Sequence, residues 1–563
     1  MGIEPNRKDT AAPKIRSWDL MAAARAAIGS HSEVVFGISI GIAVLAAVVL
    51  RWQGLGAQSL WMDEGYTLWI SKFSPHRIWE ILSGDTSTPL YYVLLHYWIR
   101  WFGDSEVSLR SLSALFGTLS IPMIYLLSRK ILVDRVSVLL AMALYAVSFY
   151  QIWYAKEARC YALLVFLSIG SVYCLVRCLE KPSLTRFLGL VLFLTASLYT
   201  HNMAFFYLPG LAVVWLIYPG QRTLARRIGD SVFVFAAVFL LYLPWLRTLR
   251  QQLKSVHTAF WVTAPRGRDL LDSLGVLLGI DPRTGQEIFR GRLHLDVFGL
   301  FGYWTWVGLV FFVFVFFVLG GFYRVNAENR RKYTALLAYS LSPLFLVFIY
   351  SRVATPIYIN RVFAGSAALL PMVICGTIAF QAGKRRRIFE LIGFLILLAT
   401  ALSAVGYLGR ARKDDWRGLT TYLVNTSTIG RLTVVIPDSC QSLVRYYASR
   451  VSSSNPPIEV TGLLTRFDPP EFQSIQDDKN PDVLSTIKKA ARSGKYRGID
   501  FITGTGASPD LLEPIPQFLQ ANCASVEVVG FYELELRRCQ LQSTSSPEED
   551  DGKQGSPGRM DRH

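Results

Sequence analysis

The sequence predicts a polytopic α-helical membrane protein, with about 11 transmembrane helices and a C-terminal α/β domain outside the cytoplasm. Three observations carry this. The 563 residues are 52% hydrophobic and 13% aromatic but only 18% charged, whereas a soluble chain carries about 25% charged residues; mean hydropathy is accordingly positive. Up to residue 408, apolar runs recur and many approach the ~20 residues that cross a bilayer. From Arg410 onward the apolar runs stop, charge rises, and short strand-like runs alternate with a helical pattern.

In chain order, residues 1–32 form a mixed polar segment that lacks a cleavable-signal pattern, expected on the cytoplasmic side. The transmembrane domain covers 33–408. Its spans fall near 33–50, 108–128, 136–153, 161–179, 186–200, 203–218, 231–246, 298–322, 333–351, 361–380 and 388–408. Alternate loops hold Arg129, Lys130 and Arg135; Lys181 and Arg186; Arg222, Arg226 and Arg227; Arg324, Arg330, Arg331 and Lys332; and Lys384 through Arg387. The positive-inside rule places these loops and the N-terminus in the cytoplasm, and the C-terminal region outside. The same clustering accounts for the formal charge of +17, so no nucleic-acid partner is expected.

The outer face then carries the loop 51–107, the corner 154–160, the corner Tyr199–Asn202, the loop 247–297 and the corner 351–361. Within 51–107, Arg77 to Ser83 and Pro89 to Phe102 read as amphipathic helices lying along the surface. Asp63 and Glu64 stand side by side in this loop, flanked by Trp61 and Tyr66. Carboxylates near lipid are costly unless partnered or used, so the pair points to chemistry at the membrane surface or opens a solvated loop.

The outer domain spans 409–540. Strands are expected at Leu432–Pro437, Pro457–Thr461, Gly498–Thr503 and Ser525–Arg538, with a helix over Gln441–Arg450, giving a partly parallel sheet. Gly504-Thr-Gly506 lacks the third glycine of a dinucleotide fingerprint. Residues 541–563 have the composition of a disordered tail. Of the seven cysteines, Cys160, Cys174, Cys178 and Cys375 sit in or beside spans as apolar fillers. Cys523 and Cys539 bracket a hairpin outside the cytoplasm and can pair, which leaves Cys440 free.

A set of motifs then carries a family resemblance. Leu60-Trp-Met-Asp-Glu-Gly-Tyr-Thr-Leu68, Thr88-Pro-Leu-Tyr-Tyr-Val-Leu-Leu-His-Tyr-Trp98, Phe102-Gly-Asp-Ser-Glu-Val-Ser-Leu-Arg-Ser-Leu-Ser113, Trp153-Tyr-Ala-Lys-Glu-Ala-Arg-Cys-Tyr-Ala-Leu163, Leu198-Tyr-Thr-His201 and Lys413-Asp-Asp-Trp-Arg417 occur in order on one membrane face. Together they resemble bacterial members of the dolichyl-phosphate-mannose–protein mannosyltransferase superfamily, including the aminoarabinose and galacturonic acid transferases of lipopolysaccharide. The resemblance covers about residues 30–410. It implies a GT-C fold in the bacterial inner membrane and transfer of one sugar from a polyprenyl-phosphate donor to a lipid, glycan or protein acceptor on the outer face.

By that resemblance Asp63 is the general base. An acceptor hydroxyl is a weak nucleophile, and a carboxylate within reach can take its proton. Glu64 orients Asp63 or binds acceptor. Arg159 and Lys156 offer cations to the departing phosphate, or anchor the interface by pairing with Glu157. Glu157 either holds Arg159 or helps bind a divalent metal; no cofactor is otherwise implied. Tyr154 and Tyr161 stack on sugar or lipid, or act as interfacial aromatics. His201 and Arg361 join the donor site. The chain departs from the family pattern at Ser87-Thr88-Pro89, where relatives carry a basic residue or histidine before two prolines, and at Val362, where relatives carry tyrosine. Both departures bear on the donor's identity. Displacement by one base with a phosphate leaving group inverts the anomeric centre. The competing class is a transporter or flippase, which calls for mid-membrane ionisable residues and internal repeats.

Overall fold

The computed structural model describes residues 17–132, 134–258, 262–279, 299–410, 413–426, 428–451, 458–462, 484–504, 507 and 512–542. Half of the 1–32 segment, much of the 247–297 loop and nearly all of the expected 541–563 tail lie outside them. The chain divides into two compact units. One joins Met1–Leu55 to Phe73–Ala411; the other joins Gly56–Lys72 to Arg412–His563.

The first unit is a helix bundle. Its elements are α1 (Ser17–Trp52), α3 (Pro75–Ser83), α4 (Leu90–Phe102), α5 (Glu106–Ile131), α6 (Arg135–Val147), α7 (Phe149–Ala155), α8 (Tyr161–Glu180), α9 (Leu184–Thr200), α10 (Leu208–Ile217), α11 (Leu224–Thr258) and α12 (Gly267–Leu277). They are followed by α13 (Gly299–Phe322), α14 (Ala327–Val353), α15 (Ala364–Ala367), α16 (Leu370–Ala379) and α17 (Gly383–Arg410). Among the described residues, seven helices are long and apolar enough to cross a membrane. An eighth crossing is possible where α6 and α7 meet at a 55° bend, and three more apolar helices are shorter. All the expected spans coincide with these segments, but length alone licenses seven or eight. The first helix also runs back to Ser17, well before the expected start at 33.

Local chemistry explains several boundaries. Ser105 caps α5 by accepting from Ser108 N, and Asp134 caps α6 by accepting from Ser137 N. The end of α6 is satisfied by Arg51, fully buried on α1, which donates to the Ala146 and Tyr145 carbonyls at 3.0 and 3.3 Å. The basic loops gather at one end of the bundle. Lys130 pairs with Glu180 at 3.0 Å, Arg386 with Asp134 at 2.9 Å, and Arg331 donates to Ile217 O at 2.8 Å.

The second unit contains α2 (Met62–Ser71), α18 (Trp416–Thr426), α19 (Gln441–Val451), α20 (Ser485–Arg492) and α21 (Pro514–Asn522). Its strands are β1 (Arg431–Ile436), β2 (Glu459–Gly462), β3 (Gly498–Thr503), β4 (Cys523–Phe531) and β5 (Leu534–Leu541). The sheet order is β2-β1-β3-β5-β4. β1 runs parallel to β2 and β3, while β5 is antiparallel to β3 and β4. The partly parallel sheet expected from sequence is thus present. Val434, Ile436, Ile499, Phe501 and Phe518 fill one core. Asp500 is fully buried on β3 and receives Arg431 as a fork, at 2.5 and 3.0 Å, with Arg538 at 3.4 Å. Cys523 and Cys539 form a disulfide with Cα atoms 5.5 Å apart, and Cys440 is free and buried.

One expectation changes. Residues 56–72, expected within an outer loop of the membrane domain, pack as part of the α/β unit. The reason is a close helix contact: a Cβ at Gly65 would lie 2.6 Å from the Leu443 side chain, so only glycine lets α2 approach α19 this closely. Leu60 N donates to Tyr447 Oη at 2.6 Å, and Arg417 donates to Gly56 O at 3.0 Å.

Candidate active site

The two members of the acidic pair sit in different environments. Asp63 and Glu64 occupy the first turn of α2, where carboxylates suit the helix dipole. Successive helical side chains point about 100° apart, so the two face different surroundings. Glu64 is fully buried, with Oε1 3.0 Å from Lys413 Nζ and Oε2 accepting from Trp61 N at 3.5 Å. Both of its oxygens thus have a partner, and the Trp61 contact closes the first turn of α2. Asp63 is half-buried, and its carbonyl accepts from Thr67 Oγ1 at 2.8 Å. Burial pushes the Cys440 thiol up, and the carboxylates of Asp414, Asp63 and Asp438 add to that. Asp63 is therefore near the Cys440 thiol, as are Asp414 and Asp438, all within the second unit. Lys413 was legible in the Lys413–Arg417 motif, but its pairing with Glu64 was not.

The cationic residues lie in the first unit. Lys156, Glu157 and Arg159 form the corner between α7 and α8, with Glu157 buried and Lys156 and Arg159 half-buried. The corner is pinned by Ser113 Oγ, which donates to Arg159 O at 3.1 Å. Arg159 Nη1 donates to Tyr92 Oη at 3.3 Å. Burial pushes the Tyr92 hydroxyl up to about 12 despite the nearby Arg159, with Asp85 adding to the rise. The Cys160 thiol is likewise pushed up to about 11 by burial, opposed by Arg159 and Arg361. Tyr92 was not among the expected site residues. Its place in the Thr88–Trp98 motif was the available signal.

His201 and Arg361 belong to the same cluster. His201 caps the 3-10 turn Asn202–Tyr207, its Nδ1 accepting from Met203 N at 3.1 Å. A neutral His201 therefore carries its proton on Nε2. Burial, then Arg361 and Arg159, pull its pKa down to about 3. At neutral pH it is therefore uncharged here, with Nε2–H free to act as a donor by its chemistry. Tyr154 and Tyr161 pack edge to face at 4.8 Å, and the Tyr161 and His201 rings lie 5.8 Å apart. Arg361 rides on the 3-10 turn Asn360–Phe363, which Tyr150 Oη and Tyr207 Oη fix by donating to the Asn360 and Val362 carbonyls, each at 2.6 Å. The structure thus brings Arg159, His201, Arg361, Tyr154, Tyr161 and Glu157 together in one unit and puts Asp63 and Glu64 in the other.

The loop that departs from the family pattern is built from polar pins. Gln252, buried on α11, donates to the Leu82 and Ser87 carbonyls at 3.0 Å. Asn202 donates to Thr86 O at 3.0 Å and to Gln252 Oε1 at 2.9 Å. Asp85, on this loop, stands among the groups acting on Tyr92. As for metal, among the described residues no group of three or more His, Cys, Asp or Glu is placed to hold an ion, Glu157 included.

Comparisons with known proteins bear on the fold of this chain. Residues 86–247 match the family model of dolichyl-phosphate-mannose-protein mannosyltransferase, a stretch that includes Tyr154, Lys156, Glu157, Arg159 and His201. The chain is similar to a crystal structure of ArnT from Cupriavidus metallidurans in the apo state, with 11% identity, a TM-score of 0.53, and coverage of 91% of this chain and 98% of that chain. It is also similar to ArnT from the same organism bound to undecaprenyl phosphate, with 12% identity, a TM-score of 0.50, and coverage of 89% of this chain and 97% of that chain. At these identities the likeness is one of fold, and the fold is GT-C. Among curated proteins none matches this chain.

Proposed function

We propose that this multi-pass membrane protein is a glycosyltransferase of the bacterial inner membrane. It moves a single sugar from a polyprenyl-phosphate donor to a lipid, glycan or protein acceptor on the periplasmic face. The N-terminus lies in the cytoplasm and the α/β unit outside. The observation that carries this reading is the gathering of Arg159, Arg361 and a neutral His201 at one polar corner of the bundle. That corner lies largely within the segment matching the mannosyltransferase model. The ArnT of similar fold was solved with undecaprenyl phosphate, which supports a lipid-linked donor. The basic loops collected at one end of the bundle support the orientation.

In this mechanism Asp63 takes the proton of the acceptor hydroxyl. The oxygen's electron pair forms the new bond to the anomeric carbon as the carbon–oxygen bond to phosphate breaks. The bonding pair leaves with the phosphate, and the centre inverts. Arg159 can meet the growing charge with its planar fork, Arg361 and Lys156 with further cationic donors, and His201 with Nε2–H. Glu64, held by Lys413, fixes the turn that aims Asp63. Tyr154 and Tyr161 offer ring faces to the sugar.

The test is transfer itself. Purified protein in proteoliposomes is given a panel of undecaprenyl-phosphate sugars with envelope lipid, glycan and protein acceptors. Sugar transfer with release of undecaprenyl phosphate is expected for at least one pair. Movement of a substrate across the bilayer with no transfer from any donor would put a transporter in its place.

A further inference from the structure

We infer that α7 is a positioning bracket. Arg51 fixes its start, and Tyr150 and Gln151 carry that setting to the turn bearing Arg361, so these three buried residues set the spacing of Arg361 and Arg159 about the carrier phosphate. The inference rests on the transferase reading above and lies wholly inside the first unit. None of the three residues is asked to touch sugar or phosphate; each acts through the two arginines.

The cause is a broken helix. α6 and α7 meet at a 55° bend, and a helix that stops leaves its last carbonyls without intrahelical donors. In an apolar bundle such carbonyls need another donor. Arg51, fully buried on α1, supplies it. Its Nη2 donates to Tyr145 O at 3.3 Å, and its Nη1 donates to Ala146 O at 3.0 Å and to Ala47 O of its own helix at 3.2 Å. The guanidinium carbon also lies 5.4 Å from the centre of the Tyr145 ring. An arginine enclosed in a membrane bundle is costly and is kept where it has a task. Here the task is a planar fork across two carbonyls, which a lysine point charge cannot copy.

The far side of the bend leads to both cations. α7 has seven residues, about 10 Å of helix, and its last, Ala155, directly precedes the Lys156–Arg159 corner. α5 seats this end and Arg51 alike: a Cβ at Gly117 would lie 2.6 Å from Ala155 Cβ and 3.4 Å from Arg51 Cδ. One turn earlier on α5, Ser113 donates to Arg159 O at 3.1 Å. From within α7, Tyr150 Oη donates to Asn360 O at 2.6 Å and Gln151 Nε2 to Ala364 O at 3.4 Å. These two bonds flank Arg361. Arg159 and Arg361 act together on Cys160 and His201, so they stand near one another. A change of about 10° at the bend would swing the end of a ~10 Å helix by about 2 Å, and a misplacement of about 1 Å can cost about 10²-fold in rate.

The test is a double-mutant cycle, with undecaprenyl phosphate titrated into full-length protein in detergent and binding read by native mass spectrometry. Tyr150→Phe removes one hydroxyl and keeps the ring. It is expected to weaken binding about fivefold in the parent, the loss of one hydrogen bond, but less than about twofold beside Arg361→Ala, because its effect passes through Arg361. Arg51→Lys keeps the charge without the fork, and is expected to weaken binding about tenfold. Arg227→Lys is the control. Arg227 also closes a helix end, donating to the Trp215, Leu216 and Tyr218 carbonyls at 3.1, 3.1 and 2.8 Å, but among the basic loops. It should lower the melting midpoint and leave binding unchanged. Three results would each overturn the bracket: equal losses from Tyr150→Phe with and without Arg361, parental binding by Arg51→Lys, or Arg227→Lys weakening binding as much as Arg51→Lys. So would a parent that binds no undecaprenyl phosphate. Coupled binding losses in a protein that transfers sugar from no donor would overturn the transferase reading alone.

Discussion

Lys413→Met should be among the most damaging single changes in the second unit. The Lys413 and Glu64 side chains are 7% and 0% exposed, with charged atoms 3.0 Å apart. Removing the lysine takes a close counter-ion from a buried carboxylate, which costs about 3–5 kcal/mol. A unit of this size shifts its melting midpoint by roughly 2–4 °C per kcal/mol, so a fall on the order of 6–20 °C is expected. Glu64→Gln combined with Lys413→Met removes both charges, and should be milder than the two single costs added together. The readout must be local, because the helix bundle is a separate unit. Pulse proteolysis of full-length protein along a temperature series, following fragments of the 412–542 region, provides it. The single variant melting within about 1 °C of the parent, which is less than about 1 kcal/mol, would refute the buried-pair argument. So would a double variant showing the full sum of the single losses.

Three further outcomes follow from the same structure. Gly65→Val should loosen α2 from α19, because the added carbons meet Leu443 from 2.6 Å; overpacking of this kind costs about 1–3 kcal/mol, read by the same proteolysis. Cys523→Ser with Cys539→Ser opens a crosslink of sequence separation 16 and should cost about 3 kcal/mol, visible as a lower denaturant midpoint for the second unit. His201 has a folded pKa lowered to about 3, so the folded state resists its protonation while the unfolded chain accepts it near 6.5. Its contribution is then intact above about 6.5 and declines as the pH falls toward 3; His201→Gln should flatten that acid limb in a pH series of thermal melts, and an unchanged limb would contradict the assignment.

Much of this architecture is legible in sequence because its causes are local. Apolar runs near bilayer length mark the spans, Lys and Arg mark one set of loops, and alternating strand and helix patterns mark the α/β unit. The Cys523–Cys539 pair was legible because the two bracket one hairpin. What sequence hides depends on distant partners. Nothing near Gly65 reveals that it lets α2 pack on α19, so residues 56–72 read as membrane-domain loop. The Asp63–Glu64 pair looks like one acidic feature until Lys413 claims Glu64. Tyr92 and the Gln252 and Asn202 pins depend on contacts between helices far apart in the chain.

The central claim is that Asp63 takes the acceptor's proton. Asp63→Asn keeps the side chain's size and removes its basicity. In proteoliposomes with a productive donor and acceptor pair, transfer should fall by about 10²–10⁴, while undecaprenyl-phosphate sugar still binds and the melting profile is unchanged. Near-parental turnover by a properly folded Asp63→Asn protein would contradict the account.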